Sequence, residues 1–136
     1  VNPIADHDNN TITSLKLFNH IKDYKSLNKV IYAAAGCAVA QKTFENAKAT
    51  KEDAPLSLYH DSPYSISKLV GEMYGNYFYK QNSLPIVKAR FQNIYGPGEN
   101  ESRFWPQLIK SGLEGRDFHM TSGEQIRDFQ PIFLCF

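Results

Sequence analysis

A tyrosine and a lysine stand four positions apart in SPYSISK, residues 62–68, as Tyr64 and Lys68. On a helix, side chains at i and i+4 lie one above the other, so these two would share a face about one turn apart. A free phenol titrates near pH ~10, and bringing it to about 7 takes roughly 4 kcal/mol of preferential phenolate stabilisation. A neighbouring ammonium shifts the phenol in that direction, which would make Tyr64 an acid/base and Lys68 its tuner. The competing reading is two surface residues of a helix. With 8 Tyr and 11 Lys among 136 residues, roughly 0.6 such pairs arise by chance. The surrounding elements must decide.

Those elements follow from the hydrophobic pattern. From Asn10 to Lys22 the apolar residues Ile12, Leu15, Leu17, Phe18 and Ile21 fall on one side of a predicted helix, opening on Asn and Thr as cap candidates. The run Val30 to Ala35 is continuously apolar and ends at Gly36, as expected of a parallel strand covered on both faces. Residues 41–61 read as a long connection, with at most a helical turn. A second helix is predicted over Tyr64 to Lys80, started by Ser62 and Pro63, with Ile66, Val70, Met73 and Tyr77 as its apolar stripe, widened by Leu69, Tyr74 and Phe78. LPIVKARF supplies a second strand, NIYGPGEN a turn, and Phe104 to Leu113 a further helix ending at Gly115.

The order helix, strand, helix, strand, helix predicts an α/β protein with parallel strands. Two strands are too few for an independent doubly wound sheet, so the chain reads as a piece of something larger. In open parallel sheets ligands bind beyond the carboxyl ends of the strands, and Tyr64 follows the Val30 strand through the long connection. Composition narrows the function classes. A net charge of +1 with dispersed Lys and Arg provides no stripe for a nucleic-acid backbone. No apolar run approaches the roughly 18 residues needed to span a bilayer, and VNPIADHDNN lacks the regions of a signal peptide. Two cysteines, Cys37 and Cys135, suit reduced thiols in the cytoplasm.

Four blocks, KVIYAAAGCAV, SPYSISKLVGE, LPIVKARFQNIYGPGE and GEQIRDF, occur in an order and spacing that resembles the NAD-dependent epimerase/dehydratase branch of the extended short-chain dehydrogenase/reductases. The resemblance covers essentially the whole chain. ADHDNNTITSLKLF and AAGCAVAQKTFENAKAT are also similar to nucleotide-sugar epimerases of bacterial surface-polysaccharide clusters. It implies the C-terminal half of a Rossmann-type doubly wound parallel sheet (residues 1–98, carrying the Tyr-x-x-x-Lys pair) and the start of a truncated nucleotide-sugar-binding region (residues 99–136). The glycine-rich N-terminal βαβ half is absent. It further implies NAD rather than NADP as cofactor, a nucleotide-diphosphate sugar as substrate, and a homodimer formed through helices near 10–22 and 64–80.

By the same resemblance Tyr64 is the acid/base that exchanges a proton with a sugar hydroxyl, and Lys68 bonds the nicotinamide ribose and depresses the tyrosine's pKa. Tyr95, Gly96 and Pro97 turn the backbone close to the nicotinamide. Asn93 contacts the substrate diphosphate, and Arg127 pairs with it, a role suited to a planar guanidinium. Asn9 and Thr13 match a family pattern that capping or packing explains equally well.

The chain departs from the family in four places. The catalytic Ser or Thr falls on Ala35, which cannot donate a hydrogen bond; Cys37 is a weak donor nearby, more in keeping with a buried structural thiol. The acidic pair of many 4,6-dehydratases falls on Gly36 and Cys37, which ranks epimerase above dehydratase. No G-x-G-x-x-G follows an N-terminal strand; GPGENE puts Glu101 at the third glycine and reads as a turn. After RDF the family continues into a strand and a helix, from which QPIFLCF departs.

The remaining candidates have plain readings. His7, His20, His60 and His119 show no metal-ligand spacing, YHDSPYS lacks a nucleophile elbow, and the aromatic group Tyr74, Tyr77, Phe78 and Tyr79 suits a core or a helix interface. The leading expectation is a piece of an NAD-dependent nucleotide-sugar epimerase acting by transient oxidation of the sugar. The alternatives are a nucleotide-binding pseudoenzyme, suggested by Ala35, and a dehydratase.

Overall fold

A computed structural model describes residues 2–36, 51–55, 62–124 and 127–135. The chain divides into two compact units, Val1–Phe91 and Gln92–Phe136. It is α/β with parallel strands throughout.

In the first unit the opening helix begins seven residues earlier than the apolar period predicts. Asn2 caps it by accepting the Ala5 N–H at 3.2 Å, Pro3 occupies the first turn, and α1 (Pro3–Asp6) passes through a π-helical stretch (His7–Ile12) into α2 (Thr13–Ile21). Asn10 and Thr11, predicted as caps, lie inside this helix, where their side chains bond a neighbouring helix. Polar residues used in that way leave no apolar period to read.

β1 (Val30–Ala35) and β2 (Ile86–Phe91) pair in parallel, from Val30 opposite Ile86 to Ala35 opposite Phe91. Between them comes α3 (Pro63–Asn82), which follows Ser62 in extended conformation and stops at Ser83 in the left-handed region, φ 55°. The predicted connection over 41–61 lies mostly outside the described residues, which show a turn within 51–55.

One face of this sheet is covered. Phe18, Tyr32, Ala34, Phe78 and Leu84 form the core, with Phe18 edge-on to Tyr32 at 5.6 Å and 5.9 Å from Phe78. The other face, expected to be covered too, shows Ile31 at 69% and Val87 at 45% exposure among the described residues.

The apolar stripe predicted for α3 is buried only in its widened part, where Phe78 enters the core and Tyr74 packs against it. Ile66, Met73 and Tyr77 are exposed, and the buried side of the helix is Ser67, Gly71, Glu72, Gly75 and Phe78. Small residues bring the helix close to the core: a Cβ on Gly75 would meet Ile86 at 3.6 Å. Glu72 is buried by virtue of its ion pairs.

The second unit holds β3 (Asn93–Tyr95), α4 (Phe104–Leu113), β4 (Phe129–Pro131) and a 3₁₀ turn (Ile132–Leu134). β3, predicted as part of a turn, pairs in parallel with β4, Asn93 opposite Phe129. Three residues are too few for a strand period to register in sequence. Tyr95, Phe104, Trp105, Phe118 and Phe129 pack ring on ring, the Tyr95–Trp105 centroids 5.2 Å apart.

Candidate functional site

Tyr64 and Lys68 occupy the first two turns of α3. The Tyr64 side chain is 46% exposed, accessible to a ligand. Lys68 bends back to the strand, and its Nζ donates to the Ala33 carbonyl at 2.7 Å and stands 5.6 Å from the centroid of the Tyr32 ring. An accessible phenol, with a cation one turn on that is anchored near the carboxyl end of a parallel strand, can exchange a proton with a bound hydroxyl.

The helix carrying this pair is pinned from three sides. Asn10 Nδ2 donates to Ser67 Oγ at 3.0 Å, Ser67 Oγ donates to the Tyr64 carbonyl at 2.8 Å, and Thr11 Oγ1 donates to the Ser67 carbonyl at 2.9 Å. The π-helical stretch is where Asn10 and Thr11 sit, a common place for such a widened turn. Asn9 and Thr13 do not share this role: Asn9 is exposed, and Thr13 Oγ1 donates to the Asp8 carbonyl at 2.9 Å.

The second pin is Tyr32 against Gly71. A Cβ on Gly71 would lie 2.2 Å from Tyr32 Oη, so only glycine leaves room for that hydroxyl. Tyr32 Oη is buried without a hydrogen bond of good geometry, although the Ser14 hydroxyl is near enough to influence its proton. Burial raises the Tyr32 pKa, Ser14 offsets part of this, and the charges of Glu72 and Tyr64 raise it further. Tyr32 therefore stays neutral beside Tyr64.

The third pin is a buried ion pair. Arg90 on β2 grips Glu72 through Nε at 3.0 Å and a second bond of 2.5 Å, Lys88 Nζ stands 3.5 Å from the same carboxylate, and Arg90 donates to the Glu52 carbonyl at 2.9 Å. Burial alone would raise the Glu72 pKa, but the bonds and charge of Arg90, joined by Lys88, hold it below the ordinary value. Glu72 correspondingly raises that of Arg90. The sequence carried a signal for this pair: a Glu one turn beyond Lys68, and an Arg inside an otherwise apolar strand.

The other predicted site residues lie in the second unit. Asn93 donates through Nδ2 to the Asp128 carbonyl at 3.1 Å and through its backbone N–H at 3.2 Å, which ties β3 to the residue after the exposed Arg127. These two substrate candidates thus share one end of the β3–β4 pair. Tyr95 packs on Trp105, and a Cβ on Gly96 would approach Ile132 Cγ2 within 2.5 Å, so the turn into Pro97 requires glycine. Ala35, 7% exposed, ends β1 without a donor side chain, and Cys37 lies outside the described residues. Among the described residues no group of three or more His, Cys, Asp or Glu is placed to hold a metal ion, and no helix is long and apolar enough to cross a membrane.

Comparison with known proteins adds independent information. The profile of the NAD dependent epimerase/dehydratase family matches residues 1–131. CDP-abequose synthase of Salmonella typhimurium is 29% identical over 124 residues, covering 90% of this chain and 40% of that protein. The structure of UDP-glucuronic acid 4-epimerase from Bacillus cereus with UDP-glucuronic acid and NAD superposes with a TM-score of 0.81 at 30% identity, covering 94% of this chain and 39% of that one. The Bordetella bronchiseptica enzyme WbmF, solved with NAD+ and UDP, is 39% identical with a TM-score of 0.72, over 96% of this chain and 39% of that one. The chain spans about 40% of the length of these relatives.

Proposed function

We propose, from the premise that this chain belongs to the NAD dependent epimerase/dehydratase family, that its 136 residues are part of a nucleotide-sugar epimerase. In this reading residues 1–98 complete the nicotinamide side of the cofactor site, and residues 99–136 begin the sugar-nucleotide site. The observation that carries it is the accessible Tyr64 one turn before Lys68, whose ammonium is fixed to the Ala33 carbonyl of β1. A phenol and an ammonium suit the reacting carbon and the ribose diol of a dinucleotide. In this reading its pyrophosphate would be held by a glycine-rich loop, which the sequence of these residues does not contain. The open apolar face of β1 and β2 at Ile31 and Val87 is in keeping with a larger sheet.

NAD, when bound, supplies the acceptor and later donor of the hydride. Tyr64 as phenolate would take the proton of a sugar hydroxyl as its carbon is oxidised to a ketone, and would return that proton to the same oxygen as the ketone is reduced on its opposite face, so that the configuration inverts with no net redox change. Lys68 keeps the phenolate accessible near neutral pH. Arg127 and Asn93 hold the diphosphate. Ile66, Met73 and Tyr77 on α3, with Leu17 on α2, present an apolar surface for a second subunit. We place the enzyme in the cytoplasm, where the free Cys135 thiol stays reduced.

Ala35 favours a second reading, a nucleotide-binding pseudoenzyme, because the residue that ends β1 offers no hydrogen bond to a reacting oxygen. The test is to incubate the parent protein with NAD and a panel of UDP-, CDP- and dTDP-sugars and to analyse products by chromatography and mass spectrometry. An isomer of unchanged mass is the expected result. Loss of one water would make it a dehydratase, and no conversion across the panel a pseudoenzyme.

A further inference from the structure

We infer that Tyr32 is a positioning residue for Lys68: its ring face, with the neighbouring Ala33 carbonyl, forms a two-point cradle that holds the ammonium charged and in place beside Tyr64. The inference rests on the reading of Tyr64 and Lys68 as the acid/base pair. Lys68 Nζ stands 5.6 Å from the Tyr32 centroid, within cation–π range, while it donates to Ala33 at 2.7 Å. A lysine stem is flexible, and the bond to the Ala33 carbonyl directs the ammonium along one line. The ring supplies the second constraint, and it is rigid. Phe18 packs edge-on to it at 5.6 Å, its hydroxyl fills the notch that Gly71 leaves, and Tyr32 is only 9% exposed.

The hydroxyl takes no part in the cradle, since it points toward Gly71 and has no hydrogen bond of good geometry. What acts on Lys68 is the electron-rich face. The ring quadrupole favours the ammonium over the neutral amine, and a charged Lys68 lowers the pKa of Tyr64. The charged and titratable groups that also face this cluster are Tyr64 and Glu72 on α3, with Arg90 and Lys88 from β2 neutralising Glu72.

The test keeps volume constant and varies the ring electronics. In the parent protein, Tyr32 is replaced by Phe and then by mono-, di- and trifluorinated phenylalanine, which weakens the quadrupole stepwise. The Tyr64 phenolate is titrated by ultraviolet difference absorbance, with Tyr64→Phe as the blank, and the pH profile of kcat/KM is recorded beside it. The expected result, with Tyr32→Phe as the reference, is that each added fluorine raises the Tyr64 midpoint, by roughly 0.5–1 pH unit over the series. The acid limb of kcat/KM should move by the same amount. A midpoint indifferent to fluorination overturns the cradle, as does a full shift already present in Tyr32→Phe, which would assign the effect to the hydroxyl. The titration needs no substrate, so it decides the matter even if no nucleotide sugar is turned over. Absence of turnover alone would count against the proposed function and leave this result standing.

Discussion

Arg90→Met should destabilise the parent protein far more than Glu72→Gln, although the two residues share one interaction. Glu72 is 0% exposed and receives two bonds from Arg90. Removing Arg90 leaves a buried carboxylate with only Lys88 at 3.5 Å, a cation that also donates to Asn76 at 3.0 Å. Breaking a buried pair from one side costs about 3–5 kcal/mol, and the remaining lysine places this case near 3. For a domain of this size that is a fall in Tm of roughly 6–12 °C. Glu72→Gln leaves instead a guanidinium whose side chain is 18% exposed and still bonded to the Glu52 carbonyl, so about 1–2 kcal/mol is lost. Arg90→Met with Glu72→Leu removes both charges and should recover most of the loss. The pH dependence has a definite sign: the Glu72 pKa is lowered in the fold, so its contribution is complete above the ordinary carboxylate range and is lost as pH falls through the folded value. Thermal unfolding by circular dichroism between pH 3 and 8 is the assay. A fall of less than about 2 °C for Arg90→Met at pH 7, or a double variant no better than the single, would refute the reasoning.

Four further outcomes are expected of the parent protein. Tyr64→Phe should lower turnover by about 10²–10⁴-fold with little change in ligand affinity by calorimetry; full activity would return the pair to a surface helix. Arg127→Ala should weaken diphosphate-sugar binding by roughly 10–100-fold, read as a rise in KM at near-constant kcat. Ala35→Ser should accelerate single-turnover reduction of bound NAD, by up to the roughly 10²-fold that one oxyanion donor contributes; if Cys37 already fills the role, Ala35→Ser changes little and Cys37→Ala is damaging. Gly71→Ala, whose Cβ would meet Tyr32 Oη at 2.2 Å, should cost about 1–3 kcal/mol in denaturant unfolding, and adding Tyr32→Phe should restore part of it.

Long, single-purpose elements were legible in the sequence. The Val30–Ala35 run, the α3 helix from its Ser62–Pro63 start, and α4 up to Gly115 appear where their patterns place them, because each has one dominant local signal. What escaped depends on a partner remote in sequence. α1 and the π-helical stretch are polar because Asn10 and Thr11 bond Ser67, 57 and 56 residues away. β3 and β4 exist by pairing with each other across the second unit and carry no period of their own. The burial of α3 was misread for a related reason: its apolar residues outnumber its small ones, and a helix drawn close to a sheet buries the small ones. The candidate pair Tyr64 and Lys68 was singled out in the sequence by its spacing and its neighbouring blocks, whereas the contacts around it at Tyr32, Glu72 and Arg90 emerged only with the fold.

The way α3 is held bears on what it does. An apolar helix face slides at little cost, since dispersion contacts are individually weak and non-directional. Two of the contacts that fix α3 are directional, Asn10 and Thr11 at Ser67 and the Arg90 fork on Glu72, and a third is the close fit of Tyr32 in the Gly71 notch. All three fall between residues 64 and 72, the two turns that hold Tyr64 and Lys68. Further along the same helix the inward contacts become the ordinary packing of Gly75 and Phe78. A helix that served only to cover a sheet would have no need of a buried carboxylate in its third turn. A proton-transferring side chain must be placed to within a fraction of an ångström, and directional pins are the means of doing so. With the inward face taken up by Ser67, Gly71, Glu72, Gly75 and Phe78, the side chains of Ile66, Met73 and Tyr77 are exposed.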